Sequence, residues 1–389
     1  MTAGPAERAA LVALASLPTI GPATLLALQQ RGDAADAWAL VHRGRGDQHP
    51  IIASAAAGRP GHLGLAEVHA AAGPIDAAAF LAHHRRFGIE VLVRGDDTYP
   101  DRLAGDPAPP ALLFVDGSLA ALDGRTVAIV GTRNATRLGC DTAASLAAQL
   151  AATDIAIVSG LALGIDGAAH RAVVEAFGRG QRIAPPVAVV AAGLDRRYPR
   201  RHAELHAQVA RRGAVVSEVP IGVAPTRWRF PARNRIIAGL ADALVVVESR
   251  SAGGSMLTVG EALARDVPVL AVPGHPTAAA SAGALDLICD GATPVRDAED
   301  VRVAIGAGGA TSGAPGAADA GGADDDPRAV VALGVLDRGP TSLSELVAAT
   351  GWTVSGASEV LLALELQGRI VRSGGWFERC GRPGEVAGR

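Results

Sequence analysis

The sequence predicts an α/β protein, a doubly wound and mostly parallel sheet with a small helical domain before it and a winged-helix domain after it. Three observations carry that expectation. Between Thr126 and Val301, short β-branched runs alternate with helix-like segments of roughly ten to fifteen residues. Each run closes on glycine and polar residues, where a parallel sheet covered on both faces keeps its ligands. From Ile305 to Asp326 the composition then turns to Gly, Ala, Ser and Asp, too little apolar surface to repay ordering, so a flexible linker is expected over 305–326.

In chain order, residues 1–65 read as a helical domain. Ala9–Leu17 and Ala23–Gln30 are helical, joined by Pro18-Thr19-Ile20-Gly21-Pro22. That turn fits a helix-hairpin-helix unit, whose backbone N–H groups can accept a phosphate, or an ordinary helical hairpin ended by Gly21. The absence of arginine in the turn favours the ordinary hairpin. The main domain is expected over 66–304. It begins with a helix near Ile75–Phe87 and two strands, Glu90–Val93 and Ala111–Phe114, added at the sheet edge. Six further strands follow. They are Thr126–Val130 before Gly131-Thr132-Arg133, Ile155–Val158 before Ser159-Gly160, and Val187–Ala191 before Ala192-Gly193. Then come Ala214–Val216 before Ser217-Glu218, Ala243–Val247 before Glu248, and Val267–Val272 before Pro273-Gly274. The pattern is that of a doubly wound sheet with two strands added at its edge.

The last piece is expected over 327–389. Ser342-Leu343-Ser344-Glu345 is a capping box opening a helix that stops at Gly351, and a second helix covers about Ser355–Gln367. Ile370–Arg372 and Trp376-Phe377 flank Ser373-Gly374-Gly375 as a hairpin, completing a winged helix. Duplex DNA binding would place that second helix in the major groove. Its Glu359 and Glu365, and five acidic residues against five arginines over 328–379, favour a protein-contact or modulatory role instead.

Composition sets the outer bounds. The 389 residues have room for two or three domains, and 49% hydrophobic content supports a packed core. No lysine occurs, so every fixed basic side chain is arginine. The net charge of −3 argues against a uniformly basic coat and leaves local patches open. Cys140, Cys289 and Cys380 are far apart, which suits a reducing cytosol and gives no metal site. No signal peptide and no charge-free run long enough to span a bilayer is visible, so a cytoplasmic protein without a membrane partner is expected.

The ligand question narrows quickly. The first turn is Gly131-Thr132-Arg133-Asn134-Ala135, not G-x-G-x-x-G, and no G-x-x-x-x-G-K-[ST] occurs. NAD, FAD and P-loop nucleotides are therefore poor candidates. One arginine beside a glycine, at the start of a helix, suits a phosphate. Arg196–Arg235 is more informative: ten arginines stand against Glu204 and Glu218, interleaved with Tyr198, Trp228 and Phe230. Guanidinium groups for phosphates beside rings for bases are what single-stranded nucleic acid needs. Arg200, Arg201, Arg211 and Arg212 also fit the solvated face of a helix, Arg200–Arg212. The stretch from Arg227 to Arg235 is less easily explained so, lying at a strand end before a helix expected at Asn234–Leu240.

These residues resemble the DNA-processing protein A (DprA/Smf) family. The resemblance lies in Ser159-Gly160-Leu161-Ala162 with Gly164-Ile165-Asp166 and Ala169-His170, and in Gly193-Leu194-Asp195 with Tyr198-Pro199. It continues through Ser217-Glu218, Phe230-Pro231, Arg233-Asn234-Arg235-Ile236-Ile237, Ser255 with Thr258, and Ala271-Val272-Pro273-Gly274, about residues 75–300 in all. His202 stands where the family usually has Asn, and Ala278–Ala280 where it tends to Asn. The resemblance implies an extended Rossmann-like domain in a non-enzymatic, homodimeric binder of single-stranded DNA in natural transformation, with no cofactor. It would protect the incoming strand and help load the RecA recombinase past single-strand-binding protein. Gly131, Thr132, Arg133, Ser159, Gly160, Asn234 and Ser255 would line the DNA pocket. Arg133, Arg233 and Arg235 would neutralise phosphates, and Phe230 or Tyr198 would stack a base. Three or four engaged phosphates give a slope of log affinity on log salt near −2 to −3. His170 is expected to pack behind the second turn.

The rival reading is a lysine-decarboxylase-like nucleoside-monophosphate phosphoribohydrolase. Gly253-Gly254-Ser255-Met256-Leu257-Thr258 with Glu261 is similar to that enzyme's P-G-G-x-G-T-x-x-E loop, with the Pro missing and the Glu out of register. An adaptor that works only through its winged helix is a third reading, and it leaves the pocket-forming turns unexplained.

Overall fold

Alternating residues of each central strand feed two cores, which is why the strand runs are apolar throughout. Val127 and Ile129 pack on one face of the sheet, Ala128 and Val130 on the other. The computed structural model describes residues 3–57, 64–307, 327–337, 341–366, 369–373 and 376–379. The chain divides into two compact units, 1–310 and 311–389.

In the first unit the strands are β1 (Glu90–Val93), β2 (Leu112–Gly117), β3 (Arg125–Val130), β4 (Ile155–Ser159), β5 (Val187–Val190), β6 (Ala214–Ser217), β7 (Ala243–Val246), β8 (Val269–Ala271) and β9 (Thr293–Pro294). They form one sheet in the order β1-β2-β6-β5-β4-β3-β7-β8-β9. From β6 to β9 neighbours are parallel, whereas β1 and β2 are antiparallel additions at one edge, as expected. The strand expected over Val267–Val272 is shorter because Pro268, which has no N–H, offers only its carbonyl, to Leu244.

Helices Arg137–Ala151 and Ile165–Gly178 cover one face over β3, β4 and β7, and Arg229–Gly239 and Gly254–Leu263 cover the other. The helix expected at Asn234–Leu240 in fact begins at Arg229. Pro231 lies in its first turn, where a missing N–H removes no helical bond, so the proline belongs to the start of the helix and does not precede it. Arg233 and Arg235 are thereby helical, and their side chains diverge.

The N-terminal helices are Pro5–Ala15, Pro22–Arg31, Ala34–His42, Pro50–Ala57, Leu65–Ala72 and Ala77–Arg86. Their core is continuous with that of the sheet: Leu11, Leu14 and Leu28 belong to one cluster with Val93, Phe114, Val190 and Val215. Arg8 fastens the first helix to β1 through both oxygens of Asp96, at 2.6 and 2.7 Å, and through the Val91 carbonyl. Ile305 still packs in the core, and the rest of the expected linker, 308–326, lies outside the described residues.

The second unit has helices Pro327–Leu336, Leu343–Thr350 and Val354–Leu366, with β10 (Thr341–Ser342), β11 (Ile370–Ser373) and β12 (Trp376–Arg379) in the order β10-β12-β11. The capping box forms as read: Ser342 Oγ accepts from the Glu345 N–H, Glu345 accepts from the Ser342 N–H, and Gly351 ends the helix at φ 70°. Gly374, Gly375 and Cys380 lie outside the described residues.

Candidate nucleic-acid interface

Chain order reverses between β3 and β7, and the crevice beyond their carboxyl ends is where a doubly wound sheet holds ligands. Gly131-Thr132-Arg133 leaves β3 on one side. Arg250 and the start of helix Gly254–Leu263 stand on the other, with Asn234 also in the lining. A second pocket adjoins it over β4 and β5, sharing Arg133, Ala162 and Arg233.

The usual phosphate position, the N-terminus of the helix after the first strand, is already filled. Glu248 accepts the Thr136 N–H at 2.9 Å and its hydroxyl at 2.5 Å, while its own carbonyl accepts the Thr132 N–H at 2.7 Å. A Cβ on Gly139 would collide with the Glu248 carboxylate, so glycine is required for this internal anion to reach the helix start. A pyrophosphate seated there would displace a buried, bonded carboxylate. The other helix facing the crevice is open at its start. Gly253 makes no side-chain cap, and a Cβ on Gly254 would meet nothing within 4 Å. Exposed Arg133 and Arg250 flank this open end.

The adjoining pocket is aromatic. Tyr198 and Phe230 lie 5.6 Å apart at 53°, and the Arg133 guanidinium sits 5.1 Å from the Phe230 ring centre. Arg196, which pairs with Asp195 at 3.2 Å, joins the wall. Arg133 thus belongs to both pockets, with the open helix start on one side and the two rings on the other.

Arg233 forms the floor between them. It is buried, donates from Nη1 to the Val189 carbonyl, and packs flat on Gly160, where a Cβ would overlap its guanidinium. Burial lowers its pKa to about 10, while Asp166 opposes that fall and Arg133 adds to it. Burial raises Asp166 above the usual carboxylate range against the pull of Arg233. Asp166 accepts the Gly160 N–H at 3.1 Å, and Leu161 beside it holds φ 52°, a left-handed backbone that costs a side-chain residue about 1 kcal/mol. His170 is fully buried behind this turn, which pushes its pKa down to about 4. His202 is also buried, its Nδ1 3.0 Å from the Leu161 carbonyl, bracing the same turn.

Nine of the eleven residues singled out from sequence line these pockets: Gly131, Thr132, Arg133, Gly160, Tyr198, Phe230, Arg233, Asn234 and Ser255. Two do not. The Ser159 hydroxyl is buried and donates to the Ile129 carbonyl at 2.6 Å, tying β4 to β3. Arg235 points away from the crevice to Glu218 at 2.5 Å and the Ala108 carbonyl at 2.8 Å, so it cannot neutralise a phosphate there. Helical spacing explains this: positions two apart face different sides. Sequence reading passed over Arg250 and Asn134, whose available signal was a polar residue just past a strand end, and Asp166, visible only as part of a motif.

Fold and site together define a Rossmann-like α/β protein whose switch-point crevice presents arginines and stacking rings, joined to a winged-helix unit. The comparisons with known proteins agree. Residues 90–306 match the family described as DNA recombination-mediator protein A, and residues 314–375 match the DprA winged helix domain. A DNA processing protein DprA of Bacillus subtilis is 37% identical over 222 residues, 57% of this chain and 73% of that one. Protein Smf of a Synechocystis species is 29% identical over 95% of this chain and 98% of its own. The X-ray structure of DNA processing protein A from Streptococcus pneumoniae matches with a TM-score of 0.61 and 30% identity, covering 78% of this chain and 98% of that one. The chain belongs to the DNA-processing protein A family.

Proposed function

We propose that this DNA-processing protein binds single-stranded DNA in the crevice, without bond chemistry, and hands the strand to the RecA recombinase. The observation that carries the reading is Arg133. It is an exposed guanidinium with no carboxylate within ion-pair distance among the described residues, set between an open helix start and the Phe230 ring. A phosphate at the Gly254 end and a base against Phe230 or Tyr198 satisfy both sides at once. A duplex buries its base faces and offers nothing to the rings, so single strands are preferred.

With Arg235 withdrawn and Arg233 beside Asp166, Arg133 and Arg250 are the main free charges of the crevice, and the salt slope should be about −1.4. The phosphoribohydrolase reading needs Glu261 at the phosphate loop. Glu261 instead pairs with Arg265 at 2.6 Å and is not part of the crevice lining. Loading of RecA, displacement of single-strand-binding protein, homodimerisation and a cytoplasmic location belong to the same proposal, and they rest on the family. No helix among the described residues is long and apolar enough to cross a membrane. The test is a titration of single- and double-stranded DNA of equal length, followed by pull-down of RecA with and without residues 305–389. Equal affinity for both DNA forms would overturn the crevice assignment.

A further inference from the structure

We propose that Trp228, with Arg229 and Pro22, forms a second stacking platform that takes the nucleotide next to the one seated at Phe230. This rests on the reading of the crevice as a single-strand site and extends its path. Trp228 is 47% exposed and belongs to no hydrophobic cluster among the described residues. Its ring is held all the same, since the Arg229 guanidinium lies 4.5 Å from the ring centre. The Arg229 Nε is buried with no hydrogen-bond partner, so a donor is left over at this spot.

The cleft beside Trp228 adjoins the Phe230 pocket. Val190, Ala191 and Arg233 are walls of both, and the turn residue Pro22 closes the far side. Glu218 also borders the cleft, but Arg235 engages its carboxylate at 2.5 Å, so its charge does not stand unopposed against a polyanion. Two aromatic faces, one at Phe230 and one at Trp228, thus flank the start of a single helix, each with an arginine over its ring. A flexible strand whose bases point outward can use both, while a mononucleotide can use only one. The turn at Gly21-Pro22, unused by the crevice itself, thereby gains a place beside the strand.

The experiment measures binding of thymidine 5′-monophosphate and of an oligothymidylate of about twelve nucleotides to the full chain and to its Trp228→Ala and Trp228→Phe variants. Trp228→Ala should leave the mononucleotide within about twofold of wild type and weaken the long strand about tenfold, and Trp228→Phe should restore most of that loss. An equal loss for both ligands would mean that Trp228 only holds the helix start, and no loss for the long strand would mean that no platform exists. Either result overturns the proposal, as does a phenylalanine variant as weak as the alanine one. Failure of the wild-type chain to bind the long strand would instead overturn the crevice reading itself, a distinct outcome.

Discussion

The rim and the floor of the crevice use the same side chain for opposite ends. At the rim, Arg133 and Arg250 are exposed and have no ion-pair partner among the described residues. Below it, Arg233 on the floor and Arg235 turned away behind it are buried, each set against an interior carboxylate, Asp166 and Glu218. A buried guanidinium without a counter-charge is costly, so the buried arginines are committed to the fold before any ligand arrives. Rim arginines keep their hydration and can exchange it for a phosphate. The lesson is that an arginine-rich stretch counts as a binding signal only after its buried members are subtracted.

The sharpest way to break the comparison is Arg235→Ala. Leaving Glu218 buried and unpaired should cost about 3 to 5 kcal/mol of stability in urea unfolding, and Glu218→Gln in the same chain should keep the affinity for single strands close to that of wild type. A stable variant that binds poorly would move Arg235 to the rim. A second test uses the histidine behind the Arg197 loop. Burial, then Arg197, push the pKa of His206 down to about 4 from 6.5. The unfolded chain takes up that proton near pH 6.5 and the folded chain only near pH 4. Stability from this residue is therefore full above pH 6.5 and is lost as pH falls towards 4, by at most about 3 kcal/mol. Asp166 and Glu218, raised by burial, work in the opposite sense, so the quantity to compare is the difference between wild type and His206→Asn. The variant's urea midpoint should fall less between about pH 7, above the ordinary value, and about pH 4.5, close to the folded one. The smallest effect in energy is the most direct on function. Arg133→Ala should weaken binding to all single-stranded sequences alike by about 2 kcal/mol, roughly thirtyfold, and make the salt slope about 0.7 less steep, with unfolding unchanged. Unchanged affinity would remove Arg133 from the rim.

Much of this was legible beforehand because its causes are local. The β-branched runs, the glycine turns at strand ends and the capping box at Ser342 each announce an element through residues a few positions apart. Pro231 misled because one proline can end an extended segment or begin a helix, and only the packing of Ile236 and Ile237 under the sheet fixes which. Ser159 and Arg235 were counted as ligand residues because a motif gives residue types and not side-chain directions. Glu248 was visible only as the residue after a strand. Its occupation of the Arg137 helix start depends on β7 lying beside β3, more than a hundred residues away in sequence.

By itself, then, the amino-acid order determined a doubly wound sheet, its ligand edge, the winged-helix unit and the family, since hydrophobic period and turn chemistry are properties of neighbouring residues. Tertiary structure alone decided which arginines face water and which face a carboxylate, and which helix start stays open to an anion. Those outcomes depend on burial and on charge pairs formed between distant segments, and desolvation acts only once the chain has closed around them.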